Sequence, residues 1–162
     1  MVTALIPGTY DPITLGHLDV IERSTQIFDE IIVAVSASPK KNGQGPLFTL
    51  EERVAFIEHA TGHLTRIRVE PFEKLLVEFA TEMGAQIIVK GLRAVTDFES
   101  EFQQASINYQ LNPALETVFI MSTPENMYLS SSKVKEIASL NGSVSAWVTP
   151  EVEAALKERY AL

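Results

Sequence analysis

The chain reads as a single α/β domain, a doubly wound five-stranded parallel sheet, and three observations predict it. Five short apolar runs, Ala4–Ile6, Ile31–Val35, Ile67–Val69, Ile87–Val89 and Val118–Met121, are nearly continuous in Ile, Val and Leu, as strands buried on both faces of a parallel sheet are. Stretches with helical apolar spacing separate them. Each parallel return needs a helix laid across the sheet, so the alternation implies right-handed crossovers. At 162 residues and 46% hydrophobic content, one domain covering residues 1–162 has the material for one well-buried core.

After the first strand, Leu18, Ile21 and Phe28 are spaced three and seven apart, which places them on one side of a helix beginning near Gly16. Thr49 with Glu52 makes a capping box for a second helix, whose apolar side carries Val54 and Ile57. A third runs from about Lys74 to Met83, and Gly84 suits the left-handed stop that follows a helix. Asp97 is expected to cap a fourth that reaches Leu111, ahead of Pro113. Ser130 to Leu140 gives a fifth, stopped at Asn141–Gly142, and Pro150 falls where a last helix tolerates proline in its first turn.

Composition narrows the function classes. A formal charge of −8 disfavours a partner bound through nucleic-acid phosphates, which calls for a broad basic surface. Cysteine is absent, so disulfides and thiolate metal sites are excluded, in keeping with a reducing compartment. No apolar run approaches a membrane span, and the first residues lack a secretion signal, so a cytoplasmic location is expected. Much of the acid lies in helix-like stretches, whereas Lys40, Lys41, Lys90 and Arg93 fall in connections. Together those four would hold a small polyanion.

Ligands of such sheets bind beyond the carboxyl ends of the strands. The segments found there are Pro7 to His17, Ser36 to Lys41, Pro71 to Leu76, Lys90 to Arg93 and Ser122 to Ser132, rich in glycine, proline, hydroxyl and basic residues. Gly8 would let backbone amides approach a phosphate, and a helix starting at Gly16 offers unpaired N–H groups and a positive dipole end. His17, in that first turn, is placed to donate a hydrogen bond to charge developing on a phosphoryl oxygen. Neither a dinucleotide GxGxxG nor a Walker pattern fits the segment.

Gly8-Thr9-Tyr10-Asp11-Pro12-Ile13-Thr14-Leu15-Gly16-His17 resembles the GTFDPxTxGH signature of phosphopantetheine adenylyltransferases, within the nucleotidyltransferase superfamily of HxGH-type motifs. Phe48 to Arg53, Lys90 to Arg93, Asp97-Phe98-Glu99 and Ser130-Ser131-Ser132 with Lys135-Glu136 are similar to further blocks of that family, in the same order. The resemblance implies a Rossmann-like fold, ATP and 4'-phosphopantetheine as substrates, Mg2+ carried on phosphates, and a homohexamer. It also implies direct in-line transfer without a covalent intermediate, with His17 as transition-state stabiliser and Lys41 and Arg93 at the reacting phosphates. Thr9, Lys41, Leu76 and Lys90 would contact the acceptor. Thr9, Tyr10, His17, Gly91, Leu92, Arg93, Glu101, Asn126, Met127, Tyr128, Leu129, Ser130, Ser131 and Ser132 would surround ATP.

Departures from the family pattern fall mainly on the adenine side: Tyr10 and Ser100 stand where phenylalanine and tyrosine are common, and Asn126-Met127-Tyr128 replaces a stretch that often opens on an aromatic. Lys90 stands where many members carry arginine, which keeps charge but loses two-pronged geometry. Two alternatives remain at this stage. One is a superfamily enzyme with another acceptor, such as nicotinamide mononucleotide or an alcohol phosphate; the other is a nucleotide-binding module without turnover.

Overall fold

The computed structural model describes residues 1–37 and 43–161, the side chains of Val95 and Thr96 excepted. Five parallel strands, β1 (Thr3–Gly8), β2 (Glu30–Ser36), β3 (Ile67–Phe72), β4 (Ile87–Leu92) and β5 (Glu116–Met121), lie in the order β3-β2-β1-β4-β5. Between and after them run α1 (Leu15–Thr25), α2 (Leu50–Thr61), α3 (Leu76–Glu82), α4 (Val95–Leu111), α5 (Ser131–Ser139) and α6 (Pro150–Arg159), with a short 3₁₀ turn at Pro124–Asn126.

The two-residue period of β2 divides the core. Ile31, Val33 and Val35 join a layer with Leu18 and Ile21 of α1, Ile57 of α2, Val134 of α5 and Val152 and Leu156 of α6. Ile32 and Ala34 join an opposite layer with Leu5, Ile88, Val77 and Phe79 of α3 and Leu115. Burial on both faces explains the unbroken apolar runs. Ile57, Ile32 and Val33 are wholly enclosed, so truncating Ile57 to alanine costs about 2–5 kcal/mol, cavity included.

The chain winds outward from β1 to β3, then returns to place β4 on the other side of β1. This is the topological switch point, where ligands enter such sheets. β1 pairs with β2 from Thr3 to Gly8, but with β4 only at Ala4↔Ile87 and Leu5↔Ile88. The carboxyl halves of β1 and β4 therefore part company, and the gap between them becomes the cleft.

Several expected boundaries move. Pro71 and Phe72, expected beyond the third strand, pair within β3 with Val35 and Ser36; β3 is an edge strand, where a proline without an N–H is tolerated. The first helix begins one residue before Gly16, because Thr14 is its cap. Phe28 lies beyond α1 and reaches the core from the following turn. The third helix starts at Leu76 instead of Lys74, whose ammonium is tied to Glu82 at 2.8 Å. Asp97 is not a cap: Ala94 holds that position, and Asp97 sits in the first turn of α4 with its carboxylate 3.1 Å from Arg93 Nε. Thr49, Ser130 and Thr149 do cap α2, α5 and α6, and Gly84 takes a φ of 70° just past α3. Among the described residues, no helix is long and apolar enough to cross a membrane.

Candidate active site

An open cleft of about 520 Å³ lies beyond the carboxyl ends of β1 and β4, closed on the far side by the start of α5. Its volume is in the range of small-ligand sites. The N-termini of α1 and α5 both meet it, so two positive dipole ends and their amides face one space. Lys90, Arg93 and Lys135 add cationic side chains.

His17 occupies the third position of α1, and Thr14 caps the helix in a reciprocal box. The Thr14 N–H donates to His17 Nδ1 at 3.0 Å, and the Thr14 hydroxyl lies 3.0 Å from the same nitrogen. The Thr14 oxygen also accepts from the His17 N–H at 3.3 Å. With Nδ1 accepting, the imidazole proton belongs on Nε2, which makes that atom a donor. Burial lowers the His17 pKa to about 4, helped by the positive charges of Arg93 and then Lys90. The donor form anticipated from the sequence is thus the neutral imidazole.

Tyr10 supports that ring from behind. It adopts a left-handed φ of 52° and is buried, and its hydroxyl donates to the Ile6 carbonyl at 2.9 Å. Its ring meets His17 edge to face, with centroids 5.0 Å apart. The ring fills the space a side chain at Gly8 would need, since a Cβ there would lie 2.9 Å from Tyr10 Cε2. Gly91 has a similar role on β4: a Cβ would stand 3.1 Å from Val20 Cγ2 of α1.

Arg93 is held in the cleft wall by its bond to the Leu129 carbonyl at 2.6 Å and by Asp97. Lys90 points to Glu101, with Nζ 3.5 Å from Oε2. Ser130 caps α5 by accepting from the Lys133 N–H, and Ser131 donates to the Pro12 carbonyl at 2.7 Å, joining α5 to the loop after β1.

Of the anticipated residues, Thr9, Tyr10, His17, Lys90, Gly91, Arg93, Glu101, Asn126, Leu129 and Ser130 to Ser132 line this one cleft. Four others do not. Leu76 packs with the core layer containing Phe79 and Ile88, so it belongs to the opposite face of the sheet. Tyr128 is 84% exposed and Met127 ends the 3₁₀ turn, both outside the wall. Leu92 ends β4, where its carbonyl accepts from the Ser122 N–H, and it too lies off the wall. Lys41 lies outside the described residues.

Sequence reading missed a set of polar ties under the cleft. The Asp11 carboxylate accepts from the Leu47 and Phe48 N–H groups, both at 2.9 Å, and from Lys135 at 2.6 Å. Arg53 donates to the Thr9, Ser36 and Phe48 carbonyls. Both residues stand inside motif blocks, which was the only available signal.

A doubly wound sheet with a TxGH helix start and a cationic cleft at its switch point fits a nucleotidyltransferase, and comparison with known proteins gives that class. Residues 5–137 match the cytidylyltransferase-like family model. The chain is 51% identical over 160 residues to a phosphopantetheine adenylyltransferase of Heliobacterium modesticaldum, covering 99% of this chain and 94% of the relative. It is 50% identical to a phosphopantetheine adenylyltransferase of Caulobacter sp. strain K31, covering 97% of each. The chain belongs to the phosphopantetheine adenylyltransferase family. Its fold is shared with a solved Vibrio parahaemolyticus protein named as a candidate nicotinate-nucleotide adenylyltransferase (TM-score 0.70, 18% identity, 96% of this chain and 99% of the other). It is shared too with a lipopolysaccharide core biosynthesis protein of Thermoplasma volcanium (TM-score 0.58, 24% identity, 76% and 98%).

Proposed function

We propose that this chain transfers the adenylyl group of ATP to 4'-phosphopantetheine, giving dephospho-coenzyme A and pyrophosphate. The observation that carries this reading is the convergence of His17, Lys90 and Arg93 on the cleft between two helix N-termini, in a chain about half identical to enzymes of that name over nearly its full length.

The acceptor phosphate is already anionic near neutral pH, so its oxygen attacks the α-phosphorus without a general base. The bond from the α-phosphorus to the α,β-bridging oxygen breaks, and pyrophosphate leaves with that electron pair. Catalysis then consists of alignment and stabilisation of spreading negative charge. In the proposed arrangement the neutral His17 donates from Nε2 to the α-phosphate, and Arg93 and the α5 amides with Ser130 to Ser132 hold the leaving phosphates. Lys90 and Thr9 orient the acceptor phosphate, and Lys41 joins them by resemblance. Glu101 reaches the ATP side and restrains Lys90 until the acceptor arrives.

Magnesium fits as an ion borne by the triphosphate. Among the described residues no group of three carboxylates or histidines could cage a metal, and the cleft's carboxylates, Asp11 and Glu101, are each engaged by a lysine. Such an ion would keep several of its waters and offset phosphate charge. A cytoplasmic setting, without nucleic-acid or membrane partners, suits the acidic, cysteine-free composition. The homohexamer implied by the family resemblance is in keeping with apolar side chains left exposed on one side of α4, Phe98, Phe102 and Tyr109.

The test is pyrophosphate release from ATP with phosphopantetheine against nicotinamide mononucleotide as acceptor. Release with phosphopantetheine alone is expected; equal or faster turnover with the mononucleotide would overturn the assignment. ATP binding without release for any acceptor would favour the non-catalytic module.

A further inference from the structure

The chemistry above leaves a fully buried cation beneath the cleft unused. Arg53, near the start of α2, is 1% exposed and is the largest fully buried side chain among the described residues. Burying a cation is costly unless it is paired, yet among the described residues no carboxylate stands within ion-pair distance of it. Its partners are backbone carbonyls: Nη1 donates to Thr9 and to Ser36, each at 2.8 Å, Nε to Phe48 at 3.2 Å, and Nη2 reaches Ala37 at 3.4 Å. These carbonyls come from three segments: the exit of β1, the exit of β2 and the approach to α2.

One of them matters to the cleft. Thr9 lines it, and two residues on, Asp11 is gripped by the Leu47 and Phe48 amides and by Lys135. The loop after β1 is therefore fixed from the core side, its carbonyl by a guanidinium and its carboxylate by amides. Only a planar fork bridges the Thr9 and Ser36 carbonyls from one nitrogen while also reaching Phe48 and Ala37; a lysine ammonium keeps the charge without that geometry.

We propose that Arg53 is a positioning residue for phosphoryl chemistry in the cleft: by binding the Thr9 and Ser36 carbonyls together from beneath, it sets where Thr9 stands relative to the reacting phosphates. The inference rests on adenylyl transfer as the reaction of this cleft. It differs from a purely structural role in what a substitution moves. A misplacement of about 1 Å is enough to cost on the order of a hundredfold in rate while binding survives.

The test compares wild type with Arg53→Lys and Arg53→Ala, well below their melting midpoints, with folding checked by circular dichroism. Turnover with ATP and phosphopantetheine is resolved into kcat and KM, and ATP affinity is measured by calorimetry. Both folded variants should lose about ten- to a hundredfold in kcat, with ATP affinity unchanged within about threefold. Guanidinium chloride at low millimolar concentration, far below denaturing levels, should restore part of the kcat of Arg53→Ala and none of that of Arg53→Lys. Wild-type kcat in folded Arg53→Lys overturns the inference. So do variants whose activity falls only in step with their folded fraction, or an Arg53→Ala variant that guanidinium fails to rescue, because Arg53 is then a folding residue alone. A wild-type chain that releases no pyrophosphate with phosphopantetheine overturns the underlying reading as well, and the wild-type arm shows this separately.

Discussion

The Thr14 N–H donates to His17 Nδ1 at 3.0 Å, so the cap of α1 and the tautomer of the site imidazole are fixed by one hydrogen bond. A glutamate or glutamine usually closes such a box. Here the closing residue faces the cleft, so its second nitrogen is left to donate there.

The cap and the chemistry separate by substitution. His17→Gln retains an acceptor able to close the box, whereas His17→Ala does not. Both should lower kcat about 10²–10³-fold, the usual size for removing one transition-state donor, with ATP affinity retained. Only His17→Ala should also lose stability, by about 1 kcal/mol. Pyrophosphate release, calorimetry and chemical denaturation check the three parts.

His17 should titrate far below an ordinary histidine. Burial, Arg93 and Lys90 hold its pKa near 4; Tyr10 and Thr14 are the uncharged groups packed on the ring. The unfolded chain takes up this proton at about 6.5, so its contribution to stability is complete above that value. It is lost as pH falls through the folded pKa. An NMR titration of the ring, assigned with His17→Gln, should give a midpoint near 4; a midpoint near 6.5 would refute the enclosed neutral imidazole.

Lys90→Ala should act on the acceptor. Loss of a charged hydrogen bond, worth about 1.5–3 kcal/mol, should raise KM for phosphopantetheine about tenfold or more and leave KM for ATP nearly unchanged. Steady-state kinetics with each substrate varied in turn decides it.

Gly8→Ala should damage the site without touching a ligand. Its methyl would enter the space of the Tyr10 ring, 2.9 Å from Cε2, and Tyr10 braces His17. Overpacking of this kind costs about 1–3 kcal/mol. Turnover should fall as well, and a melting curve beside a rate assay reads both.

The exposed face of α4 gives an assembly prediction. Phe102 stacks on Phe98 with centroids 5.7 Å apart, and Phe98 tilts against Phe119 of β5. If the proposed hexamer forms through this side of α4, Phe102→Glu should lower the mass measured by light scattering below that of wild type while secondary structure persists. A mass equal to that of wild type would place any interface elsewhere.

The strands were legible in the sequence because burial on two faces leaves an unbroken apolar signature, and caps such as Thr49 and Ser130 because capping is local. What depended on distant partners was not. Asp97 looks like a cap until Arg93 is seen beside it, and nothing local reveals that Asp11 and Arg53 meet amides and carbonyls 36 to 44 residues away. Leu76 is an acceptor contact by resemblance alone; it starts α3 and packs toward Phe79 and Ile88, off the described cleft wall, and chain position does not say which face of the sheet a helix start covers. His17, Arg93 and Lys90 came together because strand ends of one sheet share one rim.

The brief pairing of β1 with β4, confined to Ala4–Ile87 and Leu5–Ile88, means that the ligand's room is opened by diverging backbones and not by omitted side chains. The two apolar layers can thus be packed to completion without regard to what is bound. Natural variation or a designer can rewrite the rim, exchanging one phosphorylated acceptor for another, and leave the thermodynamics of folding with the strands beneath.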